Sequence, residues 1–379
     1  MESLTNKRML VLVLPDTAKI KLFNFYEVFI SLLKEYIQDK IIIIGSKNQI
    51  FRLTEGIASD RESQKNNSET PDTYYFQDNN VYWFIREKEV PNIRIRDYAP
   101  ILFRDQSLKF RYNPSYFHTG EEKTTEILDR IGNELPYLCA SLLSGVTLDK
   151  SYSPIVLCHS DLILDGGNCV FNEKGDAVIS TRFFEENPTW GIKEAQGYLS
   201  LFGLNKIHFI EPKPSGHTGH VDGIVRFVDS RSVIVSALPD TYVQDGKSIS
   251  RMKYEEDAEY LNQVAEYMSK YYNVTRLTNI IPRNEEREKI SSSFGNYTNF
   301  LIFGDCLFVP QYGNELQDKL ACETLAKAYQ SLDPSIVKVD CAELASYGGG
   351  LNCITWEFQE GRILNERSCN THAAGLKKH

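Results

Sequence analysis

Residues 9–45 read MLVLVLPDTAKIKLFNFYEVFISLLKEYIQDKIIIIG. The run Met9 to Leu14 is wholly apolar, and Leu22, Phe25, Phe29, Leu33 and Tyr36 then recur on one face of a helical pattern. A second apolar run, Ile41 to Ile44, is closed by Gly45. Strand, helix and strand within about 35 residues is the length of one βαβ-type unit.

The alternation recurs downstream. Helical patterns at Thr124 to Leu135, Lys193 to Phe202, Tyr254 to Tyr271 and Glu315 to Tyr329 each precede a short β-rich stretch, at Ile155 to Cys158, Lys206 to Ile210, Val274 to Leu277 and Ile336 to Val339. Paired strands with tight turns lie between the helices. Cys169 to Phe171 pairs with Ala177 to Ser180, and Gly223 to Val228 with Ser232 to Ser236. About five helices, each set among short strands at a spacing of about 60 to 80 residues, predict an α/β protein made by radial repetition of one β-rich unit rather than a doubly wound sheet. The polar stretch Ser59 to Asp72 reads as an exposed loop, not a domain linker.

With 379 residues, 42% hydrophobic and 25% charged, the composition is globular and excludes disordered, collagen-like and coiled-coil chains. The 42 Lys and Arg against 51 Asp and Glu leave a charge of -9 with no basic run. Nucleic acid and anionic membranes are therefore poor partners, and a small cation is favoured. Met9 to Leu14 is too short for a signal-peptide core and is followed by Pro15, so the expectation is a cytoplasmic chain without a transmembrane segment. Eight cysteines without a C-x-x-C pair argue against structural zinc, an iron–sulfur cluster or a disulfide framework. Assembly as a homo-oligomer is left open.

Four constellations carry candidate chemistry. Asp97 follows Arg94 and Arg96, an arrangement that also suits a salt-bridged loop carboxylate. Asp165-Gly166-Gly167-Asn168 follows an apolar stretch, and its glycines either make a turn or admit backbone close to a ligand. In Gly219-His220-Val221-Asp222 an extended backbone presents imidazole and carboxylate on one face, as acid-base chemistry requires. His217, His220 and Asp222 also suit metal ligation, but no further His/Cys cluster completes such a site. Finally, Gly348-Gly349-Gly350-Leu351-Asn352-Cys353 places a thiol after three glycines, which marks Cys353 among the eight as the candidate nucleophile.

Taken in order, Arg96-Asp97-x-x-Pro100, Asp165-Gly166-Gly167, Gly219-His220-Val221-Asp222 and Gly348-Gly349-Gly350-x-Asn352-Cys353 resemble the agmatine deiminase and bacterial-type peptidylarginine deiminase family. Asn296 to Phe300 and Val309 to Gly313 extend the likeness. The resemblance implies a five-bladed α/β propeller of ββαβ units, the pentein fold, forming one catalytic domain over residues 1–379. It also implies Cys353 as nucleophile, His220 as general acid and base, Asp165 as its partner, and Asp97 and Asp222 as the carboxylates that grip a guanidinium, with no metal or organic cofactor. Two positions depart from the family pattern. Asp165 stands where Glu is usual, one methylene shorter, and Arg94 stands where Trp is usual, as a candidate contact for the substrate's distal end. Arg94 would repel the ammonium of agmatine and attract the carboxylate of arginine.

The reaction implied is deimination of agmatine to N-carbamoylputrescine, or of free or peptidyl arginine to citrulline. An amidinotransferase and a catalytically silent binding protein are the competing readings. Asp97, Asp165, His220, Asp222 and Cys353 are expected to line one pocket.

Overall fold

A computed structural model describes residues 8–54, 73–103, 106–117, 121–144, 156–239, 251–280 and 293–359. Side chains alternate between faces in β1 (Arg8–Val13) and β2 (Lys40–Ser46). Leu10 and Leu12 therefore join one apolar cluster with Ile41 and Ile43, while Met9, Val11 and Val13 join another with Ile42 and Ile44. α1 (Ile20–Tyr36) packs Leu22, Phe25, Tyr26, Phe29 and Leu33 into the first cluster, and Leu128, Ile131 and Leu135 belong to the second. Burial on both faces explains why these strands read as unbroken apolar runs.

β1 and β2 pair in parallel with α1 as the crossover, and β17 (Thr355–Gln359) pairs antiparallel with β1, Arg8 opposite Gln359. The unit begun by the last strand is thus completed by the first residues. Beyond β2 come α2 (Lys47–Leu53), β3 (Thr73–Asp78) and β4 (Val81–Arg86), whose strands extend this sheet to the order β17-β1-β2-β4-β3. The short α3 (Ile95–Tyr98) then leads into the second unit.

Four three-stranded sheets repeat the pattern. The first joins β5 (Ile101–Phe103), β6 (Gln106–Arg111), α4 (Glu122–Ser144) and β7 (Val156–Ile163). The second joins β8 (Cys169–Phe171), β9 (Asp176–Ser180), α5 (Arg182–Glu186), α6 (Ile192–Ser200) and β10 (Lys206–Ile210). The third comprises β11 (Val225–Phe227), β12 (Ser232–Ala237), α7 (Arg251–Ser269) and β13 (Asn273–Thr278). The fourth comprises β14 (Leu301–Phe303), β15 (Cys306–Gln311), α8 (Glu315–Ala328) and β16 (Ser335–Asp340), followed by α9 (Ala342–Ser346). In each the first pair is antiparallel and the second parallel, so all five sheets share one ββαβ plan and the expected radial repetition is observed.

Two boundaries differ most from the sequence reading. The helix expected over Thr124 to Leu135 continues through Pro136 to Ser144, and the strand expected at Ile155 to Cys158 runs Val156–Ile163, with a register shift opposite Phe110 and Arg111. The Ser59 to Asp72 stretch lies outside the described residues. Among the described helices none is long and apolar enough to cross a membrane.

The repeat has a functional consequence. Residues 94–100, 164–168, 216–224, 293–300 and 347–354 each form the segment just before the first strand of a sheet, ahead of β5, β8, β11, β14 and β17. Every motif that carries candidate chemistry occupies this same position in its unit.

Candidate active site

The five segments meet in a ring. The Arg96 amide donates to the Cys353 carbonyl at 3.1 Å, and the amides of Val221 and Asp222 both donate to the Gly167 carbonyl, at 3.2 and 3.1 Å. Asn296 Nδ2 donates to the Gly223 carbonyl at 3.0 Å, and the Asn352 amide donates to Asn299 Oδ1 at 3.1 Å. Gly166 lies against the Arg96 carbonyl, where a Cβ would collide with it. A Cβ on Gly167 would lie 2.5 Å from His220 Nδ1 and 2.8 Å from Asp97 Oδ1, so only glycine lets those groups meet over the turn.

Above the ring opens a cavity of about 940 Å³, whose wall includes Arg94, Asp97, His220, Asp222, Asn299 and Cys353. Cys353 Sγ is 3.6 Å from Asp222 Oδ2 and 3.5 Å from Asn299 Oδ1. Asn352 Nδ2 donates to the same Asp222 oxygen at 2.8 Å. The imidazole of His220 sits between two carboxylates, with Nε2 3.1 Å from Asp165 Oδ2 and Nδ1 3.7 Å from Asp97 Oδ1. Asp97 Oδ1 is buried without a hydrogen bond among the described residues, an acceptor that a guanidinium N–H would satisfy.

These groups perturb one another. Burial raises the carboxyl of Asp97 to about 7, against the pull of His220 and with the support of Asp165 and Asp222. Burial alone would lower His220, but Asp97, then Asp165 by hydrogen bond and charge, and then Asp222 together bring it up to about 9. The imidazole is therefore protonated at neutral pH. Burial, followed by the charges of Asp222 and Asp97, pushes the thiol of Cys353 well up, so the unliganded site holds a thiol beside two carboxylates.

A planar cation with a fork of donors is the group such a pair of carboxylates would bind bidentately, with its central carbon turned to sulfur. The sequence matches the Porphyromonas-type peptidyl-arginine deiminases over residues 53–358. The chain belongs to that family. Its curated relatives carry the name "putative agmatine deiminase". One from Legionella pneumophila is 22% identical over 221 residues, covering 57% of this chain and 61% of that protein, and one from Lactococcus lactis is 29% identical over 216 residues, covering 52% and 57%. The chain thus spans about three fifths of the length of the relatives it matches. Among solved structures, C. jejuni agmatine deiminase superposes with a TM-score of 0.67 at 20% identity over 95% of this chain and 94% of that one. The Enterococcus faecalis agmatine deiminase gives 0.61 at 17% identity over 94% and 93%. At these identities the likeness establishes the pentein fold that the family implied.

Within that fold, Asp97, His220, Asp222 and Cys353 stand together in the cavity wall as the sequence suggested. Asp165 does not line it. The shorter side chain nevertheless reaches His220 Nε2, on a backbone that Gly166 brings up against Arg96. Arg94 does line the cavity, but its Nε and Nη2 donate to the carbonyls of Gly348 and Tyr347, in the loop that leads to Cys353. His217 also lines the cavity, and Cys369 lies outside the described residues. The seven described cysteines are buried.

Two contributors escaped the sequence reading as individual residues. Asn299 Oδ1 receives the amides of Asn352 and Cys353 and faces the thiol. Its signal was the Asn296 to Phe300 block, which extended the likeness to the family without singling out this residue. Tyr116, whose hydroxyl donates to Asp165 Oδ2 at 2.7 Å, comes from the loop after β6, which shares no motif with the ring.

Proposed function

We propose that this protein is a cysteine-dependent hydrolase that deiminates a small guanidino compound, with agmatine as the preferred substrate and N-carbamoylputrescine and ammonia as products. The observation that carries this reading is the set of Cys353, His220, Asp97 and Asp222 around one cavity. Asp97 and Asp222 bind the guanidinium. Burial and, after it, these two carboxylates hold the thiol up; the bound positive charge offsets the carboxylates and so favours the thiolate, whose proton passes to solvent. Sulfur then bonds to the guanidinium carbon, and His220 gives its proton to the departing nitrogen. The C–N bond breaks with loss of ammonia and a covalent amidino-thioether remains. Water, deprotonated by the now neutral His220, adds to the same carbon, the C–S bond breaks, and the ureido product leaves with the thiol restored.

The choice of agmatine rests on the wall of the cavity. Among the described residues its carboxyl groups are Asp97, Asp222, Glu121, Glu256 and Asp257, against Arg94, Lys213 and the imidazole of His220, raised to about 9. Lys213 Nζ pairs with Asp257 at 3.1 Å, and the Arg94 guanidinium is held by backbone carbonyls. A substrate that is cationic at both ends suits this wall better than one ending in a carboxylate. A Cys-to-Ser variant of the C. jejuni enzyme is known with substrate bound, which supports a nucleophilic role for cysteine on this scaffold.

The deciding experiment incubates the purified protein with agmatine, free arginine, a C-terminal arginine peptide and an internal arginine peptide, and measures ureido product and ammonia. Agmatine turnover with ammonia release and no added amine is expected. Preference for an arginine substrate would assign a citrulline-forming deiminase, and turnover only with an added amine would assign amidino transfer.

A further inference from the structure

The proton donor of this site is held by a structure that reaches beyond the ring. Tyr116 donates its hydroxyl to Asp165 Oδ2, the oxygen that also faces His220 Nε2. Its ring meets the imidazole edge to face, with centroids 5.8 Å apart and planes at 73°. On its other side lies the guanidinium of Arg182, 5.3 Å from the ring centroid. Arg182 donates through Nη1 to the His217 carbonyl and through Nη2 to Ser115 Oγ, both at 3.0 Å. Glu186 accepts from the Ser115 amide and hydroxyl at 2.9 and 2.8 Å. The Arg182–Glu186 pair on α5 therefore ties the loop bearing Tyr116 to the loop bearing His220.

We propose that Tyr116 is a positioning residue for His220: by sharing Asp165 Oδ2 with the imidazole, its hydroxyl fixes the orientation of the carboxylate and limits how strongly that carboxylate retains the imidazolium proton. Asp97, Asp165 and Asp222 act on His220 by charge, Tyr116 meets its ring with Arg182 near the same tyrosine, and His217, which also contacts Tyr116, and Cys353 line the same cavity. Burial, with the charge of Asp165 next, raises Tyr116 well above the ordinary phenol range, so it stays a donor at every working pH. Removal of the hydroxyl withdraws the positive end of a dipole from beside the imidazolium and leaves Asp165 Oδ2 to the imidazole alone. Both changes favour the protonated ring.

The inference rests on His220 being the proton donor of the proposed reaction, and its test is read without turnover as well as with it. In Tyr116→Phe, which keeps the ring contacts, the imidazole titration followed by NMR is expected to move upward by about one pH unit, and the alkaline limb of kcat/KM to move with it. Ser115→Ala loosens the same loop without touching Asp165 and is expected to leave both in place. An unshifted or lowered titration in Tyr116→Phe, or an equal upward shift in Ser115→Ala, would overturn the proposal. A shifted titration in a protein that turns over no guanidino substrate would retain the role of Tyr116 while removing the proposed function.

Discussion

Cys353 is set apart from the other cysteines by its neighbours and not by burial, since the remaining described thiols are buried as well. Burial is the first cause that raises Cys139, Cys169, Cys341 and Cys353 alike, but Cys353 also has Asp222 and Asp97 beside it and lines the cavity. Cys353→Ser is expected to lower kcat by about three orders of magnitude or more with the melting temperature retained, because a hydroxyl is a far weaker nucleophile than a thiolate. Cys158→Ser and Cys322→Ser should keep most activity, and a progress curve for each variant decides the matter. The pH dependence follows from two neighbouring groups. Asp97 must be ionised to bind a cation, so kcat/KM should rise as pH passes about 7; His220 must be protonated to expel ammonia, so it should fall above about 9. A bell with its maximum between those values is the expected profile.

At the scale of elements, the glycine-rich loop before β17 is held from outside its own sheet. Arg94, preceding β5, grips the carbonyls of Tyr347 and Gly348, and Gly348 adopts a φ of 77°, in the left-handed region that glycine tolerates best. A Cβ on Gly349 would lie 3.7 Å from Arg94 Nε and 3.8 Å from the Cys353 Cβ, so the arginine and the nucleophile pack on one peptide segment. Selection of the substrate tail by Arg94 predicts that Arg94→Trp raises kcat/KM for agmatine relative to a C-terminal arginine peptide. The observed hydrogen bonds favour the other outcome, in which both values fall several-fold together because the loop bearing Cys353 loosens. Paired assays of the two substrates separate these cases.

At the scale of the molecule, the ring of blades is sewn together by contacts remote from the site. His208 on β10 bonds through Nδ1 to the Tyr267 hydroxyl of α7 at 3.0 Å and through Nε2 to Tyr272 at 3.1 Å, while Tyr272 donates to Asp176 on β9. Burial, reinforced by the charge of Lys206, lowers His208 to about 4. Since the folded value lies below the unfolded one, the unfolded chain takes up the proton first. The stability from this cluster is thus complete above about pH 6.5 and is lost as pH falls towards 4. The loss is at most about 3 kcal/mol, reduced where the tyrosines reach solvent and screening weakens the effect. Urea denaturation at pH 7 and pH 4.5 should show a smaller decline for His208→Gln than for the parent protein.

The sequence by itself determined the repeating unit and the chemical inventory. Apolar runs such as Ile41 to Ile44 and the one-faced pattern of α1 are local consequences of burial, and glycines beside Asp165, His220 and Cys353 marked where backbone must approach closely. The count of about five helices among short strands predicted the repeat, but that the motifs share one position in it became visible only in the structure. Tertiary structure alone decided how they meet. It placed the short Asp165 against His220 outside the cavity wall, drew the fork of Arg94 onto a distant loop, and brought in Tyr116 and Asn299. These contacts join residues far apart in the chain, and their geometry depends on how adjacent blades pack, a quantity that no local periodicity encodes.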